Sequence, residues 1–286
     1  DENGKMIIPE GVALGAALSG PENICVATTS REGWLDFNSG VRAASAEFER
    51  VETSIKDPML MYFSSGTSGQ PKMVLHSGEY AVAPLLTAKH WHNVVPDGLH
   101  FTIADTGWGK AVWGKYYGQW LMEAAVLTYD YDRFDADELL SLIPRYGVTT
   151  LCCPPTMYRM FSQVDIDKYD FSTLVYSTTA GEALNPDLFD FWKKHTGLTI
   201  YEGFGQTETP LTIANLTGST PRPGSMGKPV PQYNTRILDE DGNFCKVGQT
   251  GEVCIDVSQG APGIMMEYYR NPAKTAEAIH DGWYHT

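Results

Sequence analysis

The sequence predicts an α/β fold, a doubly wound and largely parallel sheet followed by a smaller β-rich subdomain. Three observations carry that expectation. Between Met59 and Phe204 short apolar runs alternate with amphipathic stretches of helical length, the pattern of consecutive βαβ units. After Thr217 the alternation stops at a turn-rich connector, Gly218-Ser-Thr-Pro-Arg-Pro-Gly224. Beyond the connector, strand-like runs at 234–238 and 251–257 flank Asp241-Gly242 and read as a hairpin. The expected division is therefore 1–217 and 218–286.

In chain order, residues 25–28 read as a strand and 40–51 as an amphipathic helix. The strands of the alternating region are expected at 59–63, 100–105, 125–129, 148–153, 173–178 and 198–201. Helices are expected near 78–91, 111–124, 135–146, 155–163 and 186–195. Asp135-Ala-Asp-Glu138 and Asn185-Pro-Asp187 have the cap and early acidic residues of helix starts.

The chain has 286 residues, 42% hydrophobic and 20% charged, enough for a sizeable core. Its formal net charge of −14, with no cluster of Lys and Arg, argues against nucleic acid or an anionic membrane as partner. No run of eighteen apolar residues is present to span a bilayer. Five cysteines at 25, 152, 153, 245 and 254 lack Cys-x-x-Cys spacing and read as reduced. With no signal-peptide pattern at the start, the expected location is cytoplasmic.

The segment richest in chemistry is Ser64, Ser65, Gly66, Thr67, Ser68, Gly69, Gln70, Pro71 and Lys72, directly after the apolar run 59–63. Glycines let backbone N–H groups approach an anion, and hydroxyls and an ammonium supply further donors. That composition describes a polyphosphate cradle. The usual nucleotide loop needs Gly before Lys and Ser or Thr after it, whereas Pro71 and Met73 stand here. The segment instead resembles the loop of the adenylate-forming enzymes, which include the acyl-CoA synthetases, and departs from it only at Met73.

Three further segments follow in that family's order. They are Thr179-Ala180-Gly181-Glu182-Ala183-Leu184-Asn185-Pro186, Tyr201-Glu202-Gly203-Phe204-Gly205-Gln206-Thr207-Glu208-Thr209, and Asp281-Gly-Trp-Tyr-His-Thr286. In the second, an aromatic ring between glycines can lie against a planar base, and Glu208 is a hard carboxylate suited to Mg²⁺. The chain thus resembles the large domain of a medium-chain acyl-CoA synthetase, whose second subdomain is a distorted barrel.

The resemblance implies that residues 64–72 hold the β- and γ-phosphates of ATP. Gly181, Glu182 and Ala183 would form one wall of the adenine slot and Phe204 the other. Glu202, Gly203, Gly205 and Gln206 would line the nucleotide site, Thr207 would touch the α-phosphate and Glu208 would hold Mg²⁺. Lys72, Thr207 and Glu208 would then be the catalytic residues. The implied reaction joins a carboxylic acid to AMP, releases pyrophosphate, and passes the acyl group to coenzyme A. A carrier-protein thiol acceptor and a non-catalytic nucleotide-binding relative are the alternatives.

Trp108 and Gly109, in a segment similar to one beside the acyl chain, are expected to bound the acid. Trp113, Tyr116, Tyr117 and Trp120 recur at helical spacing and are read first as core. Lys110 is expected to be exposed. His90 and His92 would point apart on a helix, which disfavours a metal there. The resemblance also implies that the small mobile domain, with its lysine, lies outside this sequence, so that the piece by itself would not turn over.

Overall fold

A computed structural model of the chain describes residues 26–27, 32, 34–64, 71–105, 107–131 and 133–286. They fall into two compact units, Asp1–Glu52 and Thr53–Thr286.

In the first unit β1 (Val26–Ala27) pairs in parallel with β2 (Leu35–Asp36). The rest of the expected strand at 25–28 lies outside the described residues. The helix expected at 40–51 forms earlier, over Phe37–Ala43. Asp36 sets its start, its carboxylate accepting from Ser39 N at 2.6 Å. It stops at Ala44, whose ψ is 143°. Just beyond, Ser45 Oγ accepts from Glu47 N at 3.0 Å, a local turn that competes with helix.

In the second unit the expected strand 59–63 forms as β3 (Pro58–Ser64) but does not join the parallel sheet. It turns back antiparallel onto β4 (Lys72–Ser77), with Ser64 opposite Lys72. A parallel return needs a crossover of a dozen residues or more, and the segment between these strands is too short for one. β14 (Glu267–Tyr268) completes this three-stranded sheet against β4.

The parallel sheet contains β5 (Leu99–Thr102), β6 (Ala125–Leu127), β7 (Thr150–Cys152), β8 (Tyr176–Ala180) and β9 (Ile200–Phe204). Their order is β9-β8-β7-β5-β6, each neighbour pair parallel. Antiparallel β10 (Ile213–Ala214) and β11 (Lys228–Pro229) extend the β9 edge, so this sheet continues past the composition change at 218.

Helices Ala136–Tyr146, Pro155–Phe161 and Pro186–Thr196 cover one face. Leu139, Leu140, Ile143, Phe161 and Trp192 pack there against Leu151 and Cys153. Cys152 points to the other face, among Trp91, Val112 and Trp113, as strand alternation requires. The sheet is therefore covered on both sides, and the polar residues its strands do carry are buried and bonded to one another, as His100 is to Thr150 and Thr102 at 2.7 Å. Both expected caps form. Asp135 accepts from Glu138 N at 3.0 Å and Asn185 from Asp187 N at 2.9 Å. The stretch expected as one helix at 78–91 divides into Glu79–Val82, Pro84–Leu86 and a π-helical turn at Thr87–Trp91, since Pro84 has no N–H to give.

The hairpin expected after the connector forms between β12 (Thr235–Leu238) and β13 (Glu252–Asp256). β16 (Trp283–His285) pairs with β13 and with β15 (Ile279–His280), giving a four-stranded antiparallel sheet. No helix among the described residues is long and apolar enough to cross a membrane.

Candidate active site

Three chain segments that leave the carboxyl ends of strands meet at one cavity of about 550 Å³. Ser64 brings the end of β3, Gly181 and Glu182 the end of β8, and Gly205, Gln206 and Thr207 the end of β9. In an open α/β sheet that end is where ligands bind. Trp108 and Gly109 border the same cavity, with Lys110 and Trp113.

Glycines let these segments approach closely. Gly181 has φ +101°, and a Cβ there would stand 3.2 Å from Lys110 Nζ. At Gly205 a Cβ would lie 2.4 Å from both Pro210 O and Trp113 Cη2. Trp113 is buried, its indole N–H donating to Tyr80 Oη at 3.1 Å. It is thus a core residue whose ring also forms cavity wall. Trp108 is 60% exposed at the rim. Lys110, expected to be exposed, is half-buried and donates to the Ala180 carbonyl, which holds it beside Gly181.

Among the other expected residues, Thr156 Oγ1 donates to the Glu182 carboxylate at 2.8 and 2.9 Å. Ala183 is exposed and Phe204 half-buried, and neither borders the cavity. Glu202 is buried away from it, Oε1 accepting from Leu184 N at 3.4 Å. Burial raises its carboxyl above the usual range, and its visible role is to tie the 181–184 turn to β9. Gly203 faces the core, where a Cβ would meet Leu211 Cδ1 at 2.7 Å and Trp91 at 2.8 Å. The lining roles expected of Ala183, Glu202, Gly203 and Phe204 are thus not borne by this cavity. Ser65, Gly66, Thr67, Ser68, Gly69 and Gln70 lie outside the described residues, and Pro71 is exposed.

Lys72 and Glu208 meet in an adjoining cavity of about 260 Å³, and Gln206 lines both cavities. Tyr268 connects the two. Its hydroxyl donates to Glu208 Oε1 at 2.7 Å, while Lys72 Nζ lies 3.4 Å from that hydroxyl and 4.8 Å from the ring centre. Burial and the Glu208 carboxylate both raise the Tyr268 phenol, so it stays a neutral donor. Tyr268 thus holds one oxygen of the Glu208 carboxylate, a hard ligand suited to a hard cation. Tyr284 Oη donates to Gln206 Oε1 at 2.8 Å, and His76 Nε2 donates to the Thr207 carbonyl at 2.8 Å.

Tyr268 and His76 have no place in the motifs read from the sequence, and Tyr284 enters only within the segment 281–286, with no role of its own. The run Glu267-Tyr-Tyr-Arg-Asn-Pro272 offers no chemical pattern, and only pairing with β4 brings it to Lys72. His90 is exposed and His92 buried, so they point apart as expected.

The protein-family comparison matches residues 11–269 to the AMP-binding enzymes. The mitochondrial acyl-coenzyme A synthetase ACSM4 of Mus musculus is 40% identical over 257 residues, covering 89% of this chain and 44% of the relative. The corresponding ACSM3 of Homo sapiens is 37% identical over 280 residues, covering 96% and 48%. The chain spans somewhat under half the length of these curated relatives.

A solved anthranilate CoA ligase with anthranoyl-AMP superposes with TM-score 0.84 at 28% identity, over 97% of this chain and 54% of that one. A Brucella canis acyl-CoA synthetase gives 0.80 at 28% identity, over 93% and 48%. The expected cytoplasmic location is overturned, since the curated relatives are mitochondrial. Reduced, buried thiols do not separate the cytosol from another reducing compartment. The match over residues 11–269, together with glycine-rich strand ends gathered around one cavity, shows that this chain belongs to the family of AMP-binding enzymes.

Proposed function

We propose that the whole protein activates a carboxylic acid with ATP to an acyl-adenylate and transfers the acyl group to coenzyme A, releasing pyrophosphate and AMP. The observation that carries this reading is the convergence of Ser64, Gly181–Glu182 and Gly205–Thr207 on one cavity, beside a lysine and a carboxylate joined through Tyr268. Each part supplies what the chemistry requires. The reaction sets one anion against another at phosphorus, so the protein has to align them and offset charge. It needs no protein nucleophile.

In this reading the segment 64–72 and the Lys72 ammonium hold the leaving pyrophosphate, and Thr207 faces the α-phosphate. The turn at Gly181 and Glu182 flanks the base. Glu208 holds Mg²⁺, which supplies charge neutralisation on the phosphates. Tyr268 donates to one oxygen of Glu208, which leaves the other for the cation, and sets Lys72 at a fixed distance. Trp108 and Gly109 border the acid. That relatives are acyl-coenzyme A synthetases and a structural neighbour holds anthranoyl-AMP supports the assignment. The change of composition at 218 supports two functional parts, 1–217 for nucleotide and acid and 218–286 as their β-rich support.

The test is a panel of straight-chain and aromatic acids with ATP, with and without coenzyme A, on the full-length protein. Pyrophosphate release that requires an acid, and thioester formation that requires coenzyme A, is the expected result. Acid-dependent pyrophosphate release with no thioester to coenzyme A would shift the acceptor to a carrier protein. Release without any acid would sink the proposal.

A further inference from the structure

We propose that Glu252, Cys254 and His285 form a site for a borderline divalent cation, Zn²⁺ being the best match, separate from the carboxylate of Glu208. The three side chains share one face of the four-stranded sheet. Cys254 and His285 are direct cross-strand partners on β13 and β16, and Glu252 precedes Cys254 by two, so it projects the same way. The ligand atoms of all three lie within 4.8 Å of one another.

The separations suit an ion. His285 Nδ1 is 2.8 Å from Glu252 Oε2 and 3.4 Å from Cys254 Sγ, and Sγ is 3.8 Å from Oε2. Zinc bonds of about 2.0–2.1 Å to nitrogen or oxygen and about 2.3 Å to sulfur put tetrahedral neighbours roughly 3.3–3.6 Å apart. The triangle on the protein is close to one face of that tetrahedron. A thiol, an imidazole and a carboxylate also form a donor set that favours zinc over magnesium or calcium.

The surroundings agree with a ligand. Two cavities, of about 660 and 260 Å³, are each lined by both Glu252 and His285, so an ion has a way in and room for a water as fourth ligand. His280 stacks on the His285 ring at 3.9 Å and 3°, fixing its plane.

Burial and the neighbouring Glu252 carboxylate both push the Cys254 thiol upward, and metal binding takes a cysteine as thiolate. On binding, the thiol proton is released to solvent, the imidazole proton moves from Nδ1 to Nε2, and the three atoms donate lone pairs. One proton leaves per ion, so affinity rises with pH. Tyr284, the chain neighbour of His285, lines the 260 Å³ cavity as well and donates to Gln206. An ion that pins β16 to β13 would therefore also fix that contact.

Cobalt(II) titration of the reduced protein provides the test, since a thiolate bound to tetrahedral cobalt gives a near-ultraviolet charge-transfer band and intense visible bands. We expect a single equivalent with both features, displaced by Zn²⁺. Cys254→Ser should abolish the charge-transfer band, Cys245→Ser should keep it, and Glu252→Gln should weaken binding on the order of tenfold or more. His285→Gln, at a partly exposed position, gives the same answer if the Cys254 variant fails to fold by circular dichroism. Absence of a charge-transfer band in the wild type, or its persistence in Cys254→Ser or His285→Gln, would overturn the proposal. Because no substrate is used, the result does not depend on the proposed activity.

Discussion

The hydroxyl of Tyr268 touches both charged partners of the smaller cavity, donating to Glu208 and standing 3.4 Å from the Lys72 ammonium. Removing it as Tyr268→Phe keeps the ring under Lys72 but frees Glu208 to reorient. Turnover should fall on the order of tenfold or more, with a raised Mg²⁺ requirement, as for other partners that orient a metal carboxylate. An unchanged Mg²⁺ dependence in steady-state assays would remove Tyr268 from that role. Gly205 tests the close approach. Gly205→Ala places a methyl 2.4 Å from Pro210 O and Trp113 Cη2, and overpacking of this kind costs about 1–3 kcal/mol, readable as a lowered urea midpoint. Lys72, Thr207 and Glu208 could be proposed from the sequence because each sits in a motif whose chemistry is local. Tyr268 could not, since 196 residues separate it from Lys72. Lys110 was misread as exposed because nothing near it in sequence announces the Ala180 carbonyl it meets.

Most elements could be read from the sequence, and pairing was harder. Helix Ala136–Tyr146 shows the favourable case, an apolar face of Leu139, Leu140 and Ile143 behind an Asp135 cap. Asp135→Ala leaves Glu138 N without its partner at 3.0 Å and should cost about 1 kcal/mol, measured by chemical denaturation with activity retained. A null effect would show that water replaces the cap fully. The strand at 59–63 shows the harder case. Its existence was legible from five apolar residues, but its partner was not, because an apolar run carries no mark of parallel or antiparallel neighbours. The brevity of the segment before Met73-Val-Leu75 was the available signal, since it permits only a hairpin. The helix expected at 40–51 failed for a related reason. Residues 37–52 are exposed, so no buried face holds the pattern in place.

At the scale of the molecule, buried neutral histidines make stability depend on pH. Burial lowers His76 to about 4 and His100 to about 3 from an ordinary 6.5, and it lowers His92 as well, aided by His100 and Lys110. In the unfolded chain these rings take up protons below 6.5, while the folded protein resists. Stability is therefore complete above about pH 6.5 and is lost as pH falls toward 3–4. By pH 5, His76 and His100 together subtract about 4 kcal/mol, a large share of a typical total. Urea unfolding at pH 7 and pH 5 should show that loss, and His76→Gln should remove about half of it; equal stability at both values would refute the assignment. The acidic composition, net −14, gave no hint of this, because burial of a histidine is a property of the packed sheet. Family membership was readable from four ordered motifs, while the cellular location was not.

The position of Trp108 has an optical consequence. Trp91, Trp113 and Trp192 are already dry in the core, whereas Trp108 stands 60% exposed on the rim of the main cavity. An indole in water emits at longer wavelength than one in an apolar surround, so a ligand that covers the rim will shift the emission of this ring, against a background from Trp91 and Trp192 in the core and from Trp120, which is 58% exposed and does not line the cavity. The protein thus carries its own reporter of occupancy. A blue shift on addition of an acid with ATP, absent in Trp108→Phe, would let binding be followed without a label or a coupled assay.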